Sequence, residues 1–137
     1  MGLEMISLKS PREIEAMRRA GRITAQARAL AASIDRVSLI ISEKLKSPLR
    51  CVFGDGLVSI TTKTAIGDAA DQCVIRGDGQ NLEIGFNNKY LMDALKNAPA
   101  DKLRLEFTSG VAPCVILPAE GEEKFVYMVL PVRLKAN

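Results

Sequence analysis

The side chains of this sequence that could do chemistry are three cysteines and scattered carboxylates, and histidine is absent. Without histidine the chain lacks the commonest general base, the commonest zinc ligand and the serine or cysteine triads. Cys51, Cys73 and Cys114 are far apart, form no CxxC pair and stand beside valines. We predict that they are reduced core residues rather than a metal site or a nucleophile, and we expect no metal and no cofactor.

The carboxylates are the remaining candidates for acid–base chemistry. They lie in stretches that contain glycine, alanine or lysine, as solvated turns do: Asp68, Asp71, Asp78, Glu120, Glu122 and Glu123. Such stretches favour surface charge over a paired catalytic site. The sequence therefore predicts no catalytic residue and a protein that is not an enzyme.

The composition limits the size, the location and the partners. A chain of 137 residues, 47% of them hydrophobic, can bury the core of one domain without disulfides or a metal. It has no apolar run of 18 residues and no secretory signal pattern at its start, which predicts a cytoplasmic protein with no membrane contact. The net charge of +3 permits weak contact with a polyanion.

The first third of the chain carries a helical pattern. Ser10, Pro11 and Glu13 offer an N-cap, a proline for the first turn and a capping-box partner. Apolar residues then recur at spacings of three and four: Ala16, Ala20, Ile23, Ala27, Leu30, Ile34, Val37 and Ile41. This pattern predicts a long N-terminal helix that ends before Ser47, with a break into two helices near Gly21 as the alternative.

The rest of the chain consists of short apolar runs separated by turn residues, which is typical of an antiparallel sheet. We predict that residues 54–56 (Gly-Asp-Gly) and residues 76–81 are the turns of two hairpins. Asn87 or Asn88 is predicted to cap a second helix that runs to Lys96. Three further strands are predicted at residues 102–107, 111–117 and 124–130, with a turn at 118–123. Together these elements indicate an α+β fold.

Three strings of the sequence resemble, in order and in spacing, the C-terminal domain of the bacterial DNA polymerase III beta subunit, the sliding clamp. They are residues 34–44 (IDRVSLIISEK), 82–91 (LEIGFNNKYL) and 127–134 (YMVLPVRL). The resemblance runs from about residue 33 to residue 134. It implies a DNA-clamp-like domain in which an antiparallel sheet is backed by two helices.

The N-terminal residues 5–22 are similar instead to the opening of bacterial methionine aminopeptidases. The catalytic domain of that family and its carboxylate and histidine metal ligands have no counterpart in this sequence. We therefore predict two parts, a helical leader at residues 1–32 and a clamp-like domain at residues 33–137.

The clamp resemblance implies a processivity-factor module. In that family six such domains close a ring around duplex DNA without reading its sequence, and the last domain helps to capture short peptides of polymerases and repair proteins. The implied partners are a DNA polymerase or other clamp-binding proteins, double-stranded DNA bound without sequence specificity, and further copies in a homo-oligomer. The alternative is a structural or decoy protein that competes with an intact clamp for its partners and never encircles DNA.

The resemblance also implies site residues, position by position. The residues matched to the peptide-binding pocket are Asn87, Tyr90, Val111, Pro113, Met128, Leu130, Pro131, Val132 and Arg133. Lys89 and Lys96 are placed nearest to DNA, with ordinary solvated lysines as the alternative. Leu39 and Ile40 match the subunit interface, with burial in the domain's own core as the alternative.

Overall fold

The computed structural model describes residues 22–42, 47–119 and 125–134. The strands in this part of the chain are β1 (Arg22–Gln26), β2 (Leu49–Thr64), β3 (Gly67–Phe86), β4 (Lys102–Glu106), β5 (Cys114–Pro118) and β6 (Tyr127–Val129). The helices are α1 (Ala27–Ser38) and α2 (Asn88–Asn97). The strands form one antiparallel sheet in the order β2-β3-β1-β4-β5-β6. The helices pack against each other, α1 also contacts β1, β2 and β3, and α2 contacts β6, so the α+β prediction is confirmed.

Residues 22–26 form strand β1, so the prediction of one long N-terminal helix is wrong over these residues. The strand pairs with β4 along its whole length, as at Ile23 opposite Leu105, and it pairs with β3 at Thr24. Ile23 and Ala25 are buried on one face, which is the alternation of a strand. Main-chain hydrogen bonds to two neighbouring strands decide the conformation here. The part of the predicted helix before residue 22 lies outside the described residues.

The two predicted hairpin turns are also wrong, because both segments lie inside long strands. Residues 54–56 belong to β2 and residues 76–81 belong to β3, and the two strands pair with each other. Their register shifts on both sides of Asp55, and Gly77 has a φ of +99°. The turn-like residues therefore supply irregular, bulged pairing rather than a reversal of the chain.

The reversal between β2 and β3 lies at residues 65–66, where no turn was predicted. The Thr64 hydroxyl donates a hydrogen bond to the Gly67 carbonyl oxygen at 3.0 Å and accepts one from the Ile66 N–H at 3.3 Å. Gly67 has a φ of +148°, a conformation that favours glycine. Because the turn has no Asn-Gly or Asp-Gly pair, its signal in the sequence is weak.

Helix α2 is confirmed with the predicted cap. The Asn87 side-chain oxygen accepts hydrogen bonds from the N–H groups of Lys89 at 3.0 Å and Tyr90 at 3.2 Å, which satisfies two amides that the helix cannot pair itself. At the other end, the Tyr127 hydroxyl donates to the Asn97 carbonyl oxygen at 3.1 Å. The helix is thereby joined to β6.

The three last predicted strands are present with shorter bounds. The strand predicted at 111–117 begins at Cys114, and the one predicted at 124–130 spans Tyr127–Val129. Residues 120–123 of the predicted turn lie outside the described residues. Strand β6 ends at Val129, just before Pro131, which has no N–H to donate to a strand.

The core lies between the sheet and the helices. The rings of Phe53 and Phe107 pack there with centroids 4.7 Å apart. All three cysteines are buried and free, as predicted. Burial raises the pKa of the Cys51 thiol to about 12 and also raises the pKa of Cys114. Both thiols are therefore neutral at ordinary pH. Neither described helix is long and apolar enough to span a membrane.

Candidate functional site

Two segments from distant parts of the sequence cross the end of β3. The Val132 N–H donates a hydrogen bond to the Gly85 carbonyl oxygen at 2.8 Å. A Cβ added at Gly85 would lie 2.6 Å from the Val132 carbonyl oxygen and 2.6 Å from a methyl carbon of Leu134, so the C-terminal segment crosses where only glycine leaves room. A Cβ added at Gly110, in the loop between β4 and β5, would likewise clash with the Glu83 carbonyl oxygen.

The residues matched to the peptide-binding pocket lie on these segments and at the start of α2. Asn87 and Tyr90 begin α2, Val111 and Pro113 lie in the β4–β5 loop, and the other five lie in β6 and the segment after it: Met128, Leu130, Pro131, Val132 and Arg133. The fold thus brings residues more than forty positions apart to one end of the sheet.

Three of these residues expose large apolar side chains. Tyr90 is 68% exposed, Val111 is 83% exposed and Leu130 is 69% exposed. Such exposure is rare in the described part of the chain, where only Leu39, Ile66 and Val74 behave similarly. Met128 is half-buried in β6 opposite Val115. We call the three exposed side chains the apolar patch.

A cavity of about 1010 Å³ lies where β2, the start of α2 and the C-terminal segment meet. Four of its lining residues are cationic: Arg50, Lys63, Lys89 and Arg133. The Arg50 guanidinium donates a hydrogen bond to a Glu83 carboxylate oxygen at 2.5 Å. Asn87, Val132 and Arg133 belong both to the predicted peptide-binding set and to this cavity. Sequence reasoning missed the cavity, because its walls come from four separate stretches of the chain.

The two lysines predicted to face DNA are both exposed on α2. Lys89 and Lys96 are seven positions apart, so they lie on one face of the helix. Lys89 also lines the cavity, whereas Lys96 does not.

The residues predicted at the subunit interface lie at the end of α1. Leu39 is 79% exposed and Ile40 is half-buried. Two further exposed side chains were missed by sequence reasoning, Val74 on β3 and Ile66 at the β2–β3 turn. Val74 stands between the buried Cys73 and Ile75, so the alternation of strand side chains was its signal.

An ion pair joins α1 to β3 beside Leu39. The Arg36 guanidinium lies 2.7 Å from an Asp71 carboxylate oxygen. The pKa of Asp71 is lowered, first by the hydrogen bond from the Gln72 backbone N–H and then by Arg36. Both side chains contact solvent, so the ion pair contributes little to stability. It holds α1 in position on β3.

Within the described residues, no group of three or more histidine, cysteine, aspartate or glutamate side chains could hold a metal ion. The segment similar to methionine aminopeptidases lies outside the described residues apart from Arg22, so that resemblance stays a prediction. The division of the chain at residue 33 also stays a prediction. Residues 22–32, which it assigns to the leader, form β1 and the first half of α1.

Comparison with solved structures gives the same fold. A crystal structure from Eubacterium rectale, described as a candidate DNA polymerase III beta subunit, is 32% identical with a TM-score of 0.75, over 87% of this chain and 33% of that one. The DNA polymerase III beta subunit of Thermotoga maritima is 25% identical with a TM-score of 0.76, over 83% of this chain and 31% of that one. The clamp-like antiparallel sheet with two helices is therefore confirmed.

Comparison of sequences identifies the family. The Beta sliding clamp of Staphylococcus aureus is 32% identical over 103 residues, which are 74% of this chain and 27% of the clamp. The chain thus spans about a quarter of the length of that relative. The family model for the DNA polymerase III beta subunit, C-terminal domain, matches residues 18–133. The chain therefore belongs to the family formed by the C-terminal domains of DNA polymerase III beta subunits.

Proposed function

We propose that this chain is a sliding-clamp module without catalytic activity, which binds clamp-binding peptides of DNA polymerases and other replication proteins. Its family and its 32% identity to a beta sliding clamp support the proposal. The observation that carries it is the apolar patch of Tyr90, Val111 and Leu130, on segments that meet at one end of the sheet. Large exposed apolar side chains gathered at one end of a sheet favour an interaction surface.

The patch is held by contacts that do not depend on a ligand. The Asn87 cap fixes the first turn of α2 and with it the backbone of Tyr90. The bond between Val132 and Gly85 fixes the segment that carries Leu130. A surface ordered in advance loses less conformational entropy when it binds. Apolar anchors of a peptide would be recognised by shape and by the area removed from water.

We also propose weak contacts with duplex DNA through the face of α2 that carries Lys89 and Lys96. Two lysines on one helix face supply attraction to phosphates without reading bases. Such a contact lets a protein move along DNA, which suits a processivity factor. Self-association through Leu39 and Ile40 is part of the same proposal. Leu39 is exposed, and its burial between two copies of the chain would be favourable.

We propose that the N-terminal residues, similar to the start of methionine aminopeptidases, act as a leader and supply no peptidase activity. The support is the lack of any histidine in the sequence. An assay for metal-dependent release of N-terminal methionine should give no turnover above a buffer control, and clear turnover would contradict this assignment.

The test of peptide binding is a titration of a polymerase-derived clamp-binding peptide against the full chain. Leu130→Asp and Pro131→Asp should weaken binding about tenfold or more, because burial of one leucine contributes about 1.5–3 kcal/mol and a buried carboxylate opposes it. Ile66→Asp is the matched control, since Ile66 is 72% exposed at the β2–β3 turn. Unchanged dissociation constants for both test variants would contradict the assignment of the peptide-binding site.

Retention on circular DNA distinguishes a chain that encircles DNA from a decoy that only competes with an intact clamp for its partners. A chain that encircles DNA is retained on a closed circle and released when the circle is cut. A chain that binds the peptide but is not retained on the closed circle would act as the decoy instead.

A further inference from the structure

We propose that the cavity beside α2 binds an acidic segment of the same partner peptide, so that the preferred partners carry carboxylates next to their apolar anchor. This inference rests on the proposed peptide-binding function and names a part of the ligand which that proposal leaves open. The apolar patch gives no reason to expect charge in the ligand, whereas the cavity does.

The charge of the cavity carries the argument. The cationic lining residues are Arg50, Lys63, Lys89 and Arg133. No aspartate or glutamate is among the described residues that line it. Glu83 pairs with Arg50 from outside the lining, so the described part of the lining keeps an excess of positive charge. Asp68, opposite Lys63 in the register of β2 and β3, is exposed and does not line the cavity.

Two of the cations make no direct ion pair within the described chain. Neither Lys63 nor Arg133 forms an ion pair with any residue that the structure describes. Like charges gathered around one cavity repel each other, and a bound anion relieves that repulsion. The described cations therefore favour the binding of an anion in the cavity.

The shape and the apolar part of the lining favour a peptide over a phosphate backbone. A volume of about 1010 Å³ is far larger than one phosphate requires and suits several residues. Ile41, Pro48, Val132 and Leu134 contribute apolar surface beside the cations. A peptide with carboxylates and carbon-rich side chains can use both kinds of surface, whereas a nucleic-acid backbone would leave the apolar part unused.

The cavity is continuous with the proposed peptide site. Asn87, Val132 and Arg133 belong to both. Leu130 and Val132 are two positions apart, which is about 7 Å of extended chain. A ligand anchored on Leu130 therefore needs only a few residues to reach the cations.

The backbone amides at the start of α2 are not what would attract a carboxylate of the peptide. The N–H groups of Lys89 and Tyr90 already donate to the Asn87 side chain, and the Leu91 N–H donates to the Asn87 carbonyl oxygen at 3.1 Å. The side-chain cations are what a carboxylate would meet.

The test compares two peptides on the full chain. Both contain the same polymerase-derived clamp-binding sequence, and each is extended at both ends, one by aspartates and the other by asparagines. We expect the aspartate peptide to bind about fivefold more tightly at about 50 mM salt, and the preference to fall below about twofold at about 500 mM salt. Lys63→Glu should remove the preference and leave the affinity for the asparagine peptide unchanged.

The matched control is Arg28→Glu, which makes the same charge change at an exposed arginine of α1 outside the cavity. It should keep the preference. Circular dichroism of both variants checks that each remains folded. Titration of a short duplex DNA with the same variants tests the alternative ligand.

The outcomes separate the inference from the function on which it rests. If neither peptide binds, the proposed function fails. If both bind equally to the unaltered chain, or if Lys63→Glu and Arg28→Glu keep the same preference, the acidic-segment inference is overturned while peptide binding stands. It is also overturned if Lys63→Glu weakens only duplex binding, because the cavity would then serve DNA.

Discussion

Replacement of Gly85 by alanine should detach the C-terminal segment from β3 while the sheet stays folded. The added Cβ would lie 2.6 Å from the Val132 carbonyl oxygen. Ordinary contact begins near 3.4 Å, so the segment must move by the difference, about 0.8 Å. A shift of that size away from β3 lengthens the 2.8 Å bond between the Val132 N–H and the Gly85 carbonyl oxygen to about 3.6 Å, which is beyond hydrogen-bonding distance.

The effect on stability should be small and the effect on binding large. One hydrogen bond and part of the Leu134 packing are worth about 1–2 kcal/mol. Alanine offsets some of that loss, because it restricts the unfolded chain more than glycine does, by about 0.4–1 kcal/mol. A peptide that binds Gly85→Ala must reorder the released segment at about 1–2 kcal/mol per residue. The dissociation constant should therefore rise at least about tenfold.

Three measurements check this prediction. Urea unfolding should show a loss of about 1 kcal/mol or less, hydrogen exchange should show loss of protection at the Val132 amide, and peptide titration should show the weaker binding. Gly54→Ala is the control, because the nearest atom to its added Cβ is the movable Asn81 side-chain oxygen at 3.2 Å. A Gly85→Ala variant that keeps both the Val132 protection and the peptide affinity would refute the reasoning.

Three further predictions concern stability and assembly. Burial raises the folded pKa of Cys51 from 9.0 to about 12 and also raises the pKa values of Cys114 and Cys73. Because the thiols ionise more readily in the unfolded chain, the unfolding free energy should fall by about 3 kcal/mol or more between pH 8 and pH 10. Urea titrations of Cys114→Ala should show a fall smaller by about 1.4 kcal/mol, and an equal fall would contradict the assignment. Asn87→Ala removes the cap of α2 and should cost about 1 kcal/mol in chemical unfolding, while Asn87→Asp should retain most of the stability. Leu39→Glu should shift light-scattering masses toward the monomer at high protein concentration, and a mass equal to that of the unaltered chain would exclude Leu39 from the contact.

Several elements could be predicted because their signals are local. The Asn87 cap and the apolar spacing of α2 lie within ten residues, and they placed that helix correctly. The strands of the last third follow from short apolar runs between turn residues. The burial of the three cysteines, which was predicted from the sequence, is confirmed. Each of these inferences needs only neighbours along the chain.

The errors came where a distant partner decides the conformation. Ile23 fits a helical spacing with Ala27, but it fits the alternation of a strand with Ala25 equally well, and pairing with β4 settles the choice. Residues 54–56 have the composition of a hairpin turn. They lie inside a strand because β3 pairs on both sides of them, and the chain reverses at residues 65–66 instead.

By itself, the sequence determined the class of fold, the family resemblance, the cap and course of α2, and the residue types available for binding, because each depends on short-range pattern. The tertiary structure decided that β1 is a strand in the sheet and that Tyr90, Val111 and Leu130 are exposed on segments meeting at one end of that sheet. It also decided that Lys63 and Arg133 line one cavity. These features depend on contacts between residues far apart in the chain, which pattern along the chain cannot specify.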